Sequence, residues 1–383
     1  MSSSRRKFFT DLTIAGAAIS GLSSFSASPR SMDKVNFSSQ PLNILILGGT
    51  SFLGPHQINY ALSRGHKVST FTRGKTIPKI HSSLFSEVES LIGDRENNLE
   101  ALKGRKWDVV IDNSGRKVEW TRDTAELLKD NVSMYIYISS VSVFYPYYKS
   151  GAVEEDDVVR SMPKDATADE KSLYEYGIMK ANSESEAIKI FGEERCAVIR
   201  PTFMMGPGDR TDRFMYWPTS LAKGGEIIVP GRNNDPIQYI DIRDIADWSI
   251  RLAEQKTYGI FSGAGPASTM SVQAYVHGCH AAFSSPVEYI YIDDLSFLEE
   301  HNMVFVAPWI LDSEKFHGIS RVNNSKAINN GLTFRPLTKT VSDTYDWWYS
   351  DAVEKDRRDN FNNSPQELHN RQNEILLKWR ERS

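Results

Sequence analysis

Asn43-Ile44-Leu45-Ile46-Leu47-Gly48-Gly49-Thr50-Ser51-Phe52-Leu53-Gly54 is the stretch on which the fold turns. Its first five residues are almost uninterruptedly apolar, as in a strand covered on both faces, and the residues after the glycines read as a helix to Ser63. Strand, glycine turn and helix in that order build an anion site, because the turn exposes backbone N–H groups at the positive end of the helix dipole. A glycine turn alone is a weak signal; its position on the first strand of a series strengthens it. Apolar runs at 67–72, 88–92, 108–112, 134–138 and 196–200 alternate with helical stretches and lack the polar alternation of a half-wet sheet. This predicts an α/β chain: a Rossmann-type doubly wound parallel sheet with a smaller mixed C-terminal substrate lobe. Past Arg200, glycine and proline punctuate loops around a helix at 216–223. A strand at 237–242 and the helix after it, to about 255, are expected to return to the sheet. The boundaries follow as 42–202 with 236–265 for the Rossmann-type unit, 203–235 with 266–350 for the smaller lobe, and 351–383 for a charged helical tail ending in an amphipathic helix at 367–382.

The N-terminus reads Ser4-Arg5-Arg6-Lys7-Phe8-Phe9, then a weakly apolar run from Leu12 to Leu22 and a Ser/Ala-rich end at Ser28. Paired arginines before aromatics and a short, modestly hydrophobic stretch resemble the twin-arginine export signal, with cleavage after Ala27 or Ser28. Residues 1–28 are therefore expected to be a signal peptide handled by the twin-arginine translocase, 29–41 a linker, and the mature protein periplasmic or otherwise extracytoplasmic. The run is too short and too rich in Gly, Ala and Ser for a stable membrane span. A 40% hydrophobic and 25% charged composition argues against disorder and fibrous architecture. The formal charge of -4 leaves no basic face to attract nucleic acid. The two cysteines, Cys196 and Cys279, read as inert core thiols, a single disulfide being the alternative, and no metal-ligand spacing exists.

The second chemical element is Tyr176-Gly177-Ile178-Met179-Lys180, with Ser139-Ser140-Val141-Ser142-Val143-Phe144 upstream at a strand end. Residues four apart share a helix face, so Tyr176 and Lys180 point into one cleft. A neighbouring ammonium favours the tyrosinate and makes it a usable base, and a serine hydroxyl can hold the substrate oxygen as its proton leaves. Tyr-x-x-x-Lys is common by chance, but downstream of a glycine turn and a strand-end serine it is specific.

With these elements the chain resembles the extended short-chain dehydrogenase/reductases, the NAD-dependent epimerase/dehydratase family, over roughly residues 42 to 350. Arg200-Pro201, Gly206-Pro207-Gly208 and Tyr239-Ile240-Asp241-Ile242-Arg243-Asp244 extend the likeness. The resemblance implies Tyr176 as proton-transfer residue, Lys180 on the nicotinamide ribose and Ser140, three before the valine of Ser-x-x-Val-aromatic, on the substrate hydroxyl. It also implies an NAD or NADP site built from Gly48, Thr50, Ser51, Phe52, Leu53, Gly54, Asp94, Asn113, Ser114, Lys180 and Arg200, and a homodimer through the Tyr-Lys helix. The chain departs from the family at several points. Ser51 replaces the middle glycine of the turn. Thr72-Arg73-Gly74-Lys75 stands where NAD enzymes carry an acid, so Arg73 and Lys75 tilt the choice towards NADP. Val141-Ser142 replaces the acid pair of nucleotide-sugar dehydratases, and Ile237-Gln238 replaces a diphosphate-gripping arginine for which Arg232 could substitute. Arg210, Arg213, Tyr216 and Trp217 form a polar and aromatic cluster suited to a carbohydrate, with Tyr216 and Trp217 equally open to packing under the small lobe. The segment between Ser140 and Tyr176, with its acidic run Glu154-Glu155-Asp156-Asp157, reads either as a lid or as a solvated loop.

Export constrains the reaction, since no general nicotinamide pool exists outside the cytoplasm. The expected function is an exported, NAD(P)-dependent, sugar-type epimerase or oxidoreductase whose tightly held cofactor is regenerated in each cycle. A net dehydrogenase or reductase of a sugar or other alcohol is the rival enzyme reading. From another class come an RNA-binding role, since Gly48–Gly54 and Pro55-His56 also resemble chloroplast stem-loop RNA-binding proteins, and a non-catalytic cofactor-binding scaffold.

Overall fold

The computed structural model describes residues 40–382, so the signal expected over 1–28 and the linker up to residue 39 lie outside the described residues. In chain order the structure forms β1 (Asn43–Leu47), α1 (Leu53–Ser63), β2 (Lys67–Thr72), β3 (Glu89–Ile92), β4 (Trp107–Asp112), α2 (Val118–Leu128), β5 (Val132–Ile138), α3 (Lys171–Phe191) and β6 (Cys196–Pro201). There follow β7 (Met204–Met205), α4 (Tyr216–Lys223), β8 (Gly225–Pro230), β9 (Pro236–Asp241), α5 (Ile242–Gln255), β10 (Gly259–Gly263), β11 (Gly265–Ser271), α6 (Val272–His280) and β12 (Val287–Ile292). Short elements and the helices Leu337–Trp348, Lys355–Asn363 and Leu368–Arg382 complete the chain.

Seven strands make the main sheet in the order β10-β6-β5-β4-β1-β2-β3, every pairing parallel. The reason is visible in β1. Ile44 and Ile46 enter a core with Ile58 of α1 and Ile245 and Trp248 of α5. Leu45 and Leu47 enter the opposite core with Ala125 and Leu128 of α2 and Ala187 and Phe191 of α3. Each such side chain contributes about 1.5–3 kcal/mol on burial, so a strand apolar on both faces is stable only with helices on both sides. Because β1 lies between β4 and β2, the chain leaves it in opposite directions, and the loops after β1 and β4 part at the carboxyl edge of the sheet. Open α/β sheets bind ligands at that switch point.

The run at 237–242 does not return to the main sheet. As β9 it pairs with β7 and β11 in a separate three-stranded sheet, and β10 takes the seventh place. Ile237 and Tyr239 of β9 enter the small-lobe core beside Trp217, Tyr275 and Trp309, whereas Ile240 reaches the core under the main sheet. β9 thus bridges the two cores. The expected terminal helix forms as Leu368–Arg382, with Ile375 and Leu376 in the small-lobe core, but the tail also folds Lys355–Asn363, whose Phe361 packs on Trp348. Cys196 and Cys279 are free and buried, and burial pushes the Cys196 thiol up to about 12, as expected of inert core thiols.

Candidate active site

The glycine turn feeds α1 directly. A side chain at Gly54 would lie 2.4 Å from the Gly49 carbonyl, so only glycine lets the helix start this close to the turn. α1 opens with no acidic residue in its first turn and no side-chain cap; the Gly54 N–H turns back to the Ser51 carbonyl at 3.3 Å and Pro55 carries none, so the donors left at the positive helix end are those that precede Gly54. Thr50, Ser51 and Phe52 lie partly exposed along this rim, while Leu53 turns into the core.

The loop after β4 forms the opposite wall. Arg95 is buried and grips Asp112 with two nitrogens, reaches Ser114 Oγ at 3.2 Å and caps the Trp120 carbonyl at 2.6 Å; Tyr135 also donates to Asp112, at 2.7 Å. Burial works to raise the Asp112 carboxyl, yet Arg95 beside it holds it below its ordinary value. This internal pair fixes Ser114 against Gly48, and Asn113 is tied to Gln57 at 2.6 Å. Asp94, expected to face the cofactor, uses one carboxylate oxygen on the Glu96 N–H at 2.9 Å. Arg73 and Lys75 stand exposed after β2. An uncapped helix end, a glycine turn and a rigid facing loop fit a dinucleotide.

At the end of β5, Ser140 caps the short 3₁₀ turn Val141–Phe144, its Oγ accepting from the Ser142 N–H at 3.1 Å. α3 presses on this turn at Gly177, where a side chain would sit 2.3 Å from the Ser142 carbonyl. The close approach brings Tyr176, immediately before Gly177, to the side of the turn that Ser140 opens, while the Ser140 hydroxyl itself donates to the Ser142 hydroxyl at 3.0 Å. Sequence reasoning passed over Gly177, although a glycine inside a helix costs about 1 kcal/mol and asks for a packing reason. The Tyr176 ring is 47% exposed, yet desolvation of the phenol raises its pKa, opposed by the Ser140 side chain and by the charges of Arg213 and Arg116. Lys180 is buried, and burial lowers its amine to about 8. Its Nζ donates to the Ile138 carbonyl at 2.9 Å and lies 6.0 Å from the Tyr176 ring centre. The cations that lower the phenol are therefore the two arginines, where Lys180 was expected to do so. Arg116, next to the Asn113-Ser114-Gly115 segment, was not singled out from sequence; its signal is an arginine just past a carboxyl-edge strand.

Other expected residues lie elsewhere. Arg200 is 2% exposed, and its guanidinium binds both oxygens of Glu184, at 2.9 and 2.7 Å, and the Glu154 carbonyl at 3.2 Å; it holds the fold and does not face the cleft. Tyr216 and Trp217 are core residues, the tyrosine donating to the Ile228 carbonyl and the indole to the Ala307 carbonyl, each at 2.8 Å. Of the expected substrate cluster, Arg213 lies over the Phe203 ring at 5.1 Å and Arg210 stands exposed. Arg232 pairs with Asp235 and lines a hollow of about 520 Å³ with Tyr291, Asp293 and Arg321, which includes none of Ser140, Tyr176 and Lys180. The acidic run is not wholly solvated, because Glu154 is buried and accepts the Ser262 N–H at 2.6 Å.

Comparisons with known proteins fit this geometry. The chloroplast stem-loop binding protein of 41 kDa b of Arabidopsis thaliana is 30% identical over 215 residues, 53% of each chain. The decarboxylating sterol-4-alpha-carboxylate 3-dehydrogenase of Dictyostelium discoideum is 29% identical over 133 residues, 32% of this chain and 40% of the relative. The chain thus spans about half or less of the length of these curated relatives. Among solved structures, a UDP-N-acetylglucosamine 4-epimerase from Methanobrevibacter ruminantium M1, in complex with UDP-N-acetylmuramic acid, superposes with a TM-score of 0.59 at 16% identity, over 81% of this chain and 98% of that one. The Bordetella bronchiseptica enzyme WbmH, in complex with NAD+, gives 0.57 at 14% identity, over 82% and 100%. At these identities the structures speak for the fold. The model of the NAD dependent epimerase/dehydratase family matches residues 44–262, more than half of the sequence and the whole of the parallel sheet but the first residue of β1 and the last of β10, and the chain belongs to that family.

Proposed function

We propose that the chain is an NAD(P)-dependent epimerase or oxidoreductase acting on a carbinol of a sugar-type substrate, in a redox-neutral cycle. The observation that carries this is the close packing of α3 at Gly177 on the turn that Ser140 caps, with Tyr176 next to that glycine and Lys180 anchored on the Ile138 carbonyl. A nicotinamide dinucleotide, when bound, supplies the hydride acceptor and later donor. The N–H groups from Thr50 to Leu53 would hold its pyrophosphate, Ser114 would line its path, and Lys180 would bind the ribose. Tyr176 takes the carbinol proton and returns it at the end of the cycle; Ser140, oriented by its bond to Ser142, holds the oxygen meanwhile. Arg73 and Lys75 favour NADP over NAD.

The twin-arginine pattern at Arg5-Arg6 supports export, and export supports a cofactor that stays bound. The same reading includes a homodimer through α3. The similarity to a sterol-4-alpha-carboxylate 3-dehydrogenase favours net oxidation as the second reading. An RNA-binding role, drawn from the stem-loop relative, gains no support from a formal charge of -4.

The test is to purify the protein without added cofactor, denature it and identify released nucleotide by mass spectrometry, alongside a Tyr176→Phe variant. Stoichiometric NAD or NADP in both proteins, with hydride chemistry lost only in the variant, is the expected result. An empty protein that does not take up either nucleotide would overturn the proposal.

A further inference from the structure

Lys180 is a buried cation without a carboxylate of its own. It is 7% exposed, its Nζ donates to the Ile138 carbonyl at 2.9 Å, and among the described residues it has no ion pair. An ammonium taken out of water in this way is costly to keep charged. Asp112 on β4 and Glu184 on α3 favour its charge, but each is committed to a guanidinium, Asp112 to Arg95 and Glu184 to Arg200. Arg95 and Arg116 add charges of its own sign. Burial is the largest influence on the amine and lowers it.

What faces the ammonium instead is a ring. Tyr137 of β5 is fully buried, and its ring centre lies 5.0 Å from Lys180 Nζ; the half-exposed Tyr176 ring is farther, at 6.0 Å. A ring face carries partial negative charge and attracts an ammonium within about 6 Å, most strongly where water is excluded. Burial pushes the Tyr137 phenol up, so the ring meets the lysine as a neutral π face and not as a tyrosinate. The ring is fixed in place. Strand alternation puts it with Tyr135 in the core shared with Ala187 and Phe191 of α3, and a side chain at Gly115 would lie 2.9 Å from its Cε2 and 3.1 Å from its hydroxyl. The segment Asn113-Ser114-Gly115, which walls the cofactor side of the cleft, therefore rests on the same ring that holds Lys180.

We propose that Tyr137 is a positioning residue of the active site, its ring face keeping the Lys180 ammonium charged and in place for the cofactor. This rests on the reading of Lys180 as the ribose-binding cation of an NAD(P) site. The ring face is what the lysine needs and the hydroxyl is not, so phenylalanine serves at 137 and an aliphatic side chain does not. Without the ring the amine loses its proton about one pH unit lower, and near neutral pH much of the lysine is uncharged.

The experiment reads the titration of Lys180 by itself. The full-length protein is trace-labelled by reductive methylation with formaldehyde across a pH series, and the label on the Lys180 peptide is measured by mass spectrometry against that on exposed lysines. Wild type and Tyr137→Phe are expected to share a midpoint at about 8, and Tyr137→Leu to titrate about one pH unit lower. Because leucine also leaves a void, mono-, di- and trifluorinated phenylalanine at position 137 keep the shape of the ring while draining its face, and are expected to lower the midpoint stepwise. The affinity for NAD+, read by calorimetry, is expected to fall with rising pH through the same midpoint in each protein. One Lys180 midpoint shared by the wild type, the leucine variant and the trifluorinated protein overturns the proposal, and so does a phenylalanine variant that titrates like the leucine one. Midpoints that shift as expected in a protein that binds no NAD+ at any pH would leave the hold of Tyr137 on Lys180 standing and remove the NAD(P) reading.

Discussion

Replacing Arg200 by methionine separates an internal strut from a cofactor ligand. The side chain ties the end of β6 to α3 through both oxygens of Glu184, to the segment before α3 through the Glu154 carbonyl, and lies over the Phe144 ring at 5.0 Å. Both partners of the ion pair are 2% exposed, so removing the arginine leaves a carboxylate without a counter-ion or water. Breaking one side of a buried pair costs about 3–5 kcal/mol. With an unfolding entropy of about 2 cal/mol/K per residue, a folded body of this size should lose about 5 °C in Tm. The double variant Arg200→Met/Glu184→Met removes the orphaned charge and should return to within about 2 kcal/mol of the wild type. Thermal and urea unfolding read the stability, and an NAD+ titration well below Tm reads the cofactor site. The expected result is a lowered Tm, largely repaired in the double variant, with the affinity for NAD+ unchanged in folded protein. A Tm within about 1 °C of wild type together with a tenfold loss of NAD+ affinity would refute the strut and restore Arg200 to the cofactor.

Gly177→Ala gains about 1 kcal/mol of helix propensity but drives a methyl to 2.3 Å from the Ser142 carbonyl. The overpacking should win by about 1–3 kcal/mol, lowering the urea midpoint, and an unchanged or raised midpoint would show that α3 does not press on the 3₁₀ turn as described. His56 is buried, and burial, aided by His81 and opposed by its bond to the Pro207 carbonyl, lowers its pKa from 6.5 to about 4. The unfolded chain therefore binds a proton below pH 6.5 that the folded chain refuses until about pH 4, and stability falls as pH falls through that window. The loss from this residue should be about 2 kcal/mol between pH 7 and pH 5. His56→Gln should flatten that slope in urea midpoints at the two pH values; an identical slope in wild type and variant would show that His56 is not its source.

Much of the fold was legible because it rests on a local, periodic signal. β1, β2 and α4 lie where the apolar runs place them, and the glycine turn followed by an uncapped helix can be read from a dozen residues. β10 was not legible, since Gly259-Ile260-Phe261-Ser262-Gly263 is short and closed by glycines, while the stronger run at 237–242 competes for its place. What that run satisfies is a tertiary demand, one strand serving two cores, which no window of its own sequence contains.

The site divides along the same line. That Tyr176 and Lys180 share one helix was legible because their spacing is helical, and that Ser140 follows a strand was legible because the apolar run ends just before it. The roles of Arg200, Tyr216 and Trp217 were not, because each is decided by a partner distant in the chain: Glu184, Ile228 and Ala307. An arginine at the carboxyl edge of a parallel sheet looks the same in sequence whether it turns inward to a buried carboxylate or outward to a ligand. Arg200 and Arg116 are the two cases. Arg200 is the fifth residue of β6 and is sealed by α3, so its charge must be matched inside the fold; Arg116 lies four residues beyond β4, where nothing covers it and no acid answers it. The distinction is electrostatic before it is functional. A buried guanidinium without a counter-ion would cost several kcal/mol, so its partner is part of the fold, whereas an exposed one tolerates a missing partner and can leave that place to a substrate.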